Sequence, residues 1–238
     1  METFSNFCEM FQEFPIAISG GLLIAVACSF LGIFVVLKRL VFIGATLSQV
    51  AACGIAAGFF FHIHPLLGAA AFTFAAVLLL SSSGEEYRIP KDAVMATLFV
   101  LASALSVLFV FKSAFGLDEV KSLLYGDLII TSAADIKILL FTVLPAALLI
   151  LIFSRPLVYT FLDRQEARVL GLRVRFWELF FYFLLAIVVS AASKIGGMLL
   201  VFCYLVIPPM AGLSLSNRLA GAIMISILTG VSATRLGF

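Results

Sequence analysis

Two histidines near the end of an apolar segment are candidate metal ligands. His62 and His64 flank one isoleucine in the stretch "HIHP", and neutral imidazole is a common ligand of zinc and other transition metals. Their spacing differs from the i, i+4 pair that places two ligands on one helix face. Pro65 follows directly and disfavours continuation of a helix. Both a metal site and a plain helix end are therefore open here.

Other reactive residues form no recognisable catalytic or metal-binding pattern. The four cysteines lack CxxC spacing and lie in or beside apolar segments, which favours buried thiols over disulfides or a zinc knuckle. The chain contains no GxxxxGK[ST] or HExxH motif and no convincing Ser/His/Asp arrangement. We expect a protein that is not an enzyme and binds no cofactor itself, so any ATP must be handled elsewhere.

A stripe of small and weakly polar residues lies in the stretch "GATLSQVAACG". At about 100° per residue, Ala45, Ser48, Gln49 and Cys53 fall on one side of a helix. Such a face permits close helix packing, but an amide in hydrocarbon needs a partner and favours a bundle interior or a watery path. The stripe therefore predicts a segment that lines a translocation path, with close helix packing as the alternative. Larger residues point away and are expected to face lipid: Ile43, Leu47 and Val50.

The elements that carry these residues are membrane spans. Of the 238 residues, 63% are hydrophobic and 12% are charged, and the mean hydropathy is +1.22. Apolar runs reach or approach the roughly 20 residues that cross a bilayer as a helix, without the alternation of barrel strands. We predict an all-α, polytopic transmembrane bundle in one domain, 1–238. The predicted spans number about eight: 16–37, 41–61, 66–80, 93–111, 138–153, 177–192, 195–215 and 219 to about 233.

The distribution of basic residues predicts the orientation of these spans. With the N-terminus outside, ten Lys and Arg residues fall on the cytoplasmic side and five on the other, as the positive-inside rule requires. We therefore expect a multi-pass protein of the inner (plasma) membrane, in contact with the lipid bilayer and with no nucleic-acid partner.

Two further stretches are unusual for simple spans. In "SKIGGMLLVFCYLVIPPMAGL", Gly196 and Gly197 open a span, and Pro208 and Pro209 are expected to interrupt it near its inner end. This pattern fits either the end of a span or a broken helix beside a translocation route.

The loop at about 155–175 mixes charged and apolar residues. Within it, "DRQEARVLG" predicts a short helix from Asp163 to Leu170 that Gly171 ends. An amphipathic cytoplasmic helix between spans suits docking to another protein. A solvated positive-inside loop is the alternative.

Three stretches in this order resemble the membrane permeases of zinc, manganese and iron ABC importers. They are "LKRLVFIGATLSQVAACGIAAG", "SLLYGDLI", and "DRQEARVLGLRV" followed by "GGMLLVFCYLVIPPMAGL". The resemblance implies a homo- or heterodimeric permease, a cytoplasmic ATP-binding subunit and an extracytoplasmic metal-binding protein.

The resemblance also implies roles for particular residues. The loop with Asp163, Arg164, Glu166, Ala167 and Gly171 would couple to the ATPase. The segment of Tyr125, Gly126 and Asp127 would lie outside, near the metal-delivering protein. These two sets of residues stand at positions that match the family's motifs.

The sequence departs from the family where metal-transporting members carry Asp and His one helical turn apart. Ala45 and Gln49 stand at those places, and Cys53 replaces a proline. We expect an ATP-driven importer of zinc or manganese whose path lacks the usual ligand pair. Gln49 with Cys53 would then form a weaker or softer metal site, unless another subunit supplies ligands. An ion-coupled secondary carrier and a non-transporting membrane scaffold are the alternatives.

Overall fold

The computed structural model describes residues 15–40, 42–82, 91–112, 133–162, 164–216 and 218–237, and all regular secondary structure in these ranges is α-helical. The prediction of an all-α bundle is therefore confirmed. The described helices are α1 (Pro15–Leu37), α2 (Phe42–Phe60), α3 (Pro65–Ser82), α4 (Lys91–Lys112), α5 (Ala133–Ile152), α6 (Ser154–Leu162), α7 (Arg164–Val169), α8 (Val174–Leu215) and α9 (Leu219–Gly237).

Two ion pairs mark the opposite ends of the bundle. At one end, Nζ of Lys38, just beyond α1, lies 3.2 Å from Oε1 of Glu178 in the first turns of α8. At the other end, Nζ of Lys194 lies 2.6 Å from Oδ1 of Asp135 in the first turn of α5. We call these the Lys38 end and the Lys194 end. Helix α8 therefore crosses the whole bundle between Glu178 and Lys194.

The chain reverses direction within α8 at Gly197. This residue has φ 73° and ψ 166°, a backbone conformation that glycine adopts far more readily than other residues. Gly196 lies beside Ile24 of α1, whereas Leu205 lies beside Gly32, which is closer to the Lys38 end of α1. The 42-residue helix therefore consists of two crossings, and its second half returns to the Lys38 end.

The expected interruption at Pro208 and Pro209 is wrong, because the helix continues through both prolines to Leu215. Pro209 has no N–H to donate to the carbonyl of Leu205, four residues earlier. That carbonyl faces the backbone of Gly32 on α1, so neighbouring protein covers it. Membranes tolerate a freed carbonyl under such cover.

Eight crossings account for the apolar helices. Six described helices are long and apolar enough to span a membrane, with α8 counted once, and α3 is a shorter apolar helix. Counting the halves of α8 separately and including α3 confirms the predicted number of about eight. The final helix runs antiparallel to the second half of α8, since the hydroxyls of Tyr204 and Thr234 lie 2.7 Å apart and Gly212 abuts Ala222.

Helices α2 and α3 approach each other backbone to backbone. A Cβ atom on Gly54 would lie 2.5 Å from the carbonyl oxygen of Gly68, so the two helices meet without side chains between them. Small residues permit such approaches, and packing contacts are a major source of helix association in lipid. The small residues of this segment therefore serve packing at their α3-facing positions.

The boundary of the fifth span differs from the sequence prediction. Helix α5 begins at Ala133, several residues before the predicted start at residue 138, and Asp135 lies in its first turn. An acidic residue is favourable near a helix N-terminus, where backbone N–H groups are unpaired. The helix therefore begins before its apolar section, with the charged residues Asp135 and Lys137 near its start.

Candidate functional site

The predicted path residues on α2 lie inside the bundle. Ser48 is 1% exposed, Gln49 is 4% exposed and Cys53 is fully buried, whereas Ala45 is partly exposed. The structure therefore brings Ser48, Gln49 and Cys53 into the protein interior on one helix. Their role in translocation stays a prediction.

The opposite face of α2 does not face lipid, contrary to the sequence prediction. Ile43, Leu47 and Val50 are all buried, with exposures of 1%, 0% and 5%. The reason is that α2 packs against α3, α4 and α8. A helix enclosed on every side buries its apolar face as well as its polar one.

Two neighbouring hydroxyls on α2 differ in their hydrogen bonding. Oγ1 of Thr46 donates to the carbonyl of Phe42 at 3.0 Å and lies 3.3 Å from the carbonyl of Met95 on α4. Oγ of Ser48 is buried and has no hydrogen-bond partner within the described ranges. Such a group loses its hydration without compensation, at a cost of about 1–3 kcal/mol. Ser48 is therefore a second polar group in the interior near Gln49. Close packing alone would not require a hydroxyl there.

The two histidines lie in the turn that ends α2. His62 has φ 54°, its N–H donates to the carbonyl of Phe59, and the N–H of Ile63 donates to the carbonyl of Gly58. This pair of bonds is a Schellman motif, which satisfies the last carbonyls of a helix. His62 and His64 are both exposed, and the described ranges contain no group of three or more His, Cys, Asp or Glu residues placed to hold a metal. His62 thus has a structural role that needs no metal.

The predicted helix in the loop is present as α7. It spans Arg164–Val169, close to the predicted 163–170, and Gly171 follows with φ 75°. The N–H of Gly171 donates to the carbonyl of Arg168, and the N–H of Leu172 donates to the carbonyl of Ala167, which is a second Schellman motif. The glycine therefore ends α7 for the reason that the sequence indicated.

The side chains of α7 divide between the bundle and the surface. Ala167 is fully buried, while Glu166 is exposed. Val169 and Leu170 are 89% and 62% exposed, so two apolar side chains lie uncovered next to the charged ones. An exposed apolar patch with a polar rim is typical of a protein-binding surface. Of the other predicted site residues, Asp163, Tyr125, Gly126 and Asp127 lie outside the described residues, as does the side chain of Arg164.

The sequence analysis missed a cluster around Lys38. Its ammonium group lies 3.2 Å from Glu178, 3.9 Å from the ring centroid of Tyr182 and 4.9 Å from that of Phe161. The side chains of Lys38 and Glu178 are only 5% and 12% exposed. One signal was available, because a lysine that directly follows an apolar span and precedes another has few routes to water.

The described residues form eight apolar crossings with polar groups inside the bundle, as in a multi-pass membrane protein. Residues 10–238 match the ABC 3 transport family, and the chain belongs to that family.

Similar proteins include named transporters of manganese. The manganese transport system membrane protein MntC of Halalkalibacterium halodurans is 24% identical over 221 residues, which are 93% of this chain and 76% of the relative. The manganese import system permease protein ScaB of Streptococcus parasanguinis is 24% identical over 238 residues, covering 98% of this chain and 84% of ScaB.

A solved structure has the same fold. The structure of PsaBC from Streptococcus pneumoniae in complex with Fab superposes with a TM-score of 0.85 at 22% sequence identity, covering 97% of this chain and 84% of that chain. The similarity extends over nearly the whole bundle, including both halves of α8.

Proposed function

We propose that this chain is the permease subunit of an ATP-driven importer of a divalent metal ion, with manganese as the foremost substrate. The family match over residues 10–238 carries the proposal, and the manganese transport proteins among the relatives support the choice of ion. Zinc is the second candidate ion. The chain is not an enzyme in this proposal, since ATP is bound and hydrolysed by a separate subunit.

The path through α2 would conduct the ion by weak contacts. Gln49 offers a neutral amide oxygen, which suits Mn²⁺ as a hard ligand, and Cys53 offers a softer sulfur. Gln49 and Cys53 lack the charged carboxylate of the Asp and His pair in related permeases, so they would hold a divalent ion less tightly. Conduction requires weak enough binding for release, so the partner permease of a homo- or heterodimer would complete the ion's surroundings.

Two further partners follow from this function. A cytoplasmic ATP-binding subunit would dock on α7, where Glu166, Val169 and Leu170 are exposed. An extracytoplasmic metal-binding protein would deliver the ion near Tyr125, Gly126 and Asp127. The orientation proposed from charge puts the N-terminus outside an inner (plasma) membrane, which would place the Lys38 end and α7 in the cytoplasm.

Replacement of Gln49 by Leu tests the path. We expect Gln49→Leu to lower Mn²⁺ uptake about tenfold in vesicles that contain the permease and its ATPase, because loss of one polar contact costs about 1–1.5 kcal/mol. Assembly with the ATPase should be unchanged. Leu144→Ile, at an exposed position on α5, is the control and should transport normally. Normal uptake by Gln49→Leu would assign the stripe to packing.

Charge reversal on α7 tests the docking of the ATPase. We expect Glu166→Arg to reduce co-purification of the ATP-binding subunit at least tenfold, since it places an unpaired charge in a protein interface. Arg235→Glu reverses an exposed charge on α9, outside the proposed docking surface, and should leave co-purification unchanged. The proposed function fails if the wild-type chain retains no ATP-binding subunit and imports Mn²⁺ after ATP is depleted.

A further inference from the structure

The ion pair at the Lys38 end joins three parts of the bundle at one point. Lys38 follows α1, Phe161 belongs to α6, and Glu178 and Tyr182 lie in the first turns of α8. Helix α6 also contacts α1, α5, α7 and α8. Because α7 follows α6 in the chain and contacts both α6 and α8, a displacement of α7 acts on two of the helices that meet at this junction.

Packing alone does not require a charge at this position. The side chains of Lys38 and Glu178 are almost completely buried, and burial removes the hydration of both charged groups. Apolar side chains of similar volume commonly replace a buried ion pair without loss of stability. The surrounding rings of Phe34, Phe161 and Phe181 already form a continuous apolar cluster. The charged pair therefore points to a role beyond stability.

The contacts of the Lys38 ammonium group can persist while the neighbouring helices move. Lys38 has a flexible four-carbon stem, and its ammonium group accepts many directions of approach. Attraction between a cation and a ring acts within about 6 Å of the centroid, so a ring can shift across the cation and stay bound. The Phe161 ring lies at 4.9 Å and the Tyr182 ring at 3.9 Å. The contact of Lys38 with Phe161 on α6 is therefore longer than its contact with Tyr182 on α8.

Helix α1 connects the contacts at Lys38 to helices in the interior of the bundle. Gly32, one and a half turns before Lys38, abuts Leu205 in the returning half of α8, and Leu205 also contacts Gly44 at the start of α2. Ser226 on α9 donates a 2.9 Å hydrogen bond to the carbonyl of Ser29 on α1. A shift of α1 at Lys38 therefore acts on the helices beside the predicted path.

We propose that Lys38 is the positioning residue that couples movement of α6 and α7 to α1 and α8. Its ammonium group contacts Glu178 and Tyr182 of α8 and Phe161 of α6, so displacement of α7 by a docked ATPase moves α1. The proposal rests on the proposed function. Lys38 does not touch the transported ion in this mechanism.

A double variant that removes both charges of the ion pair distinguishes a role in coupling from a role in stability. We call this variant the neutral pair. We would reconstitute the permease with its ATP-binding subunit in lipid vesicles and measure Mn²⁺ uptake and ATP hydrolysis in the same sample. The double variant Lys38→Met with Glu178→Gln leaves no unpaired buried charge, so it should fold and assemble like the wild type. We expect its Mn²⁺ transported per ATP to fall about tenfold, within the range of measured coupling energies.

Three single variants refine the test. Lys38→Arg keeps the charge and should retain most of the wild-type ratio. Phe161→Leu removes the ring on α6 but keeps apolar volume, and its ratio should fall about threefold. Asp135→Asn breaks the ion pair at the Lys194 end and is the matched control, with an unchanged ratio expected.

Each outcome bears on one of the two proposals. A wild-type ratio in the neutral pair, or an equal fall in Asp135→Asn, overturns the coupling role. Failure of the neutral pair to fold, while Lys38→Arg behaves normally, assigns the pair to stability and also overturns it. Absence of ATP-dependent Mn²⁺ uptake by the wild-type assembly would instead defeat the proposed function.

Discussion

The contact between α2 and α3 predicts a large effect from a single added methyl group. In Gly54→Ala the new Cβ would lie 2.5 Å from the carbonyl oxygen of Gly68 and 2.7 Å from Cα of Ala69, whereas ordinary contacts begin at 3.4 Å. Both obstructing atoms are backbone, so no side-chain rotation relieves the overlap. The two helices must separate by roughly 1 Å along their closest contact.

The expected change in stability follows from two opposing terms. Overpacking costs about 1–3 kcal/mol, and a backbone clash belongs at the upper end of that range. Alanine is favoured over glycine within a helix by about 1 kcal/mol. The net loss is therefore about 2 kcal/mol, which lowers Tm by about 4–8 °C in a chain of this size.

Heating the detergent-solubilised protein and quantifying the folded fraction by size-exclusion chromatography would measure this shift. Gly20→Ala is the matched control, because its Cβ would lie 3.9 Å from the nearest atom of Ile136, an ordinary contact, and it gains the same helix propensity. Its Tm should stay the same or rise. If Gly54→Ala melts at or above the wild-type temperature, the close approach of α2 and α3 is wrong.

Two further predictions concern helix ends and a contact between helices. Arg39 follows α1 with φ 58°, so Arg39→Gly should remove about 1 kcal/mol of backbone strain and raise Tm by about 2–4 °C, whereas Arg39→Val should lower it. Ser226→Ala removes the 2.9 Å hydrogen bond from α9 to the carbonyl of Ser29, and it should lower Tm by about 1–3 °C because such bonds contribute about 0.6 kcal/mol in membranes. The same melting assay measures both, and a rise in Tm for Ser226→Ala would contradict the assigned bond.

Local signals in the sequence were sufficient for much of the fold. The class of protein and the number of crossings follow from apolar runs of a length that matches the bilayer, and the helices confirm both. The extent of α7 follows from a mixed charged and apolar stretch followed by Gly171, whose positive φ the structure confirms. Each of these inferences needs only residues that are close together in the chain.

Breaks and turns were harder to predict, because several residues in each stretch have similar local preferences. The interruption predicted at Pro208 and Pro209 is absent, whereas the predicted boundary between the spans 177–192 and 195–215 lies within a few residues of the reversal at Gly197. Arg39 and His62 adopt positive φ without being glycine, and the Schellman bonds at each helix end offset the cost. The surrounding helices decide where the backbone bends.

The sequence by itself determined that Gln49 lies in an apolar helix, but only the tertiary structure decided what surrounds that helix. Protein interior and lipid are equally apolar, so hydropathy cannot distinguish a Leu47 that faces lipid from one enclosed by α3, α4 and α8. The same holds for Lys38 and Glu178, which are far apart in the chain and become partners through the packing of α1 against α8. Contacts between distant residues depend on the relative positions of whole helices, and a hydrophobic pattern within one helix does not encode those positions.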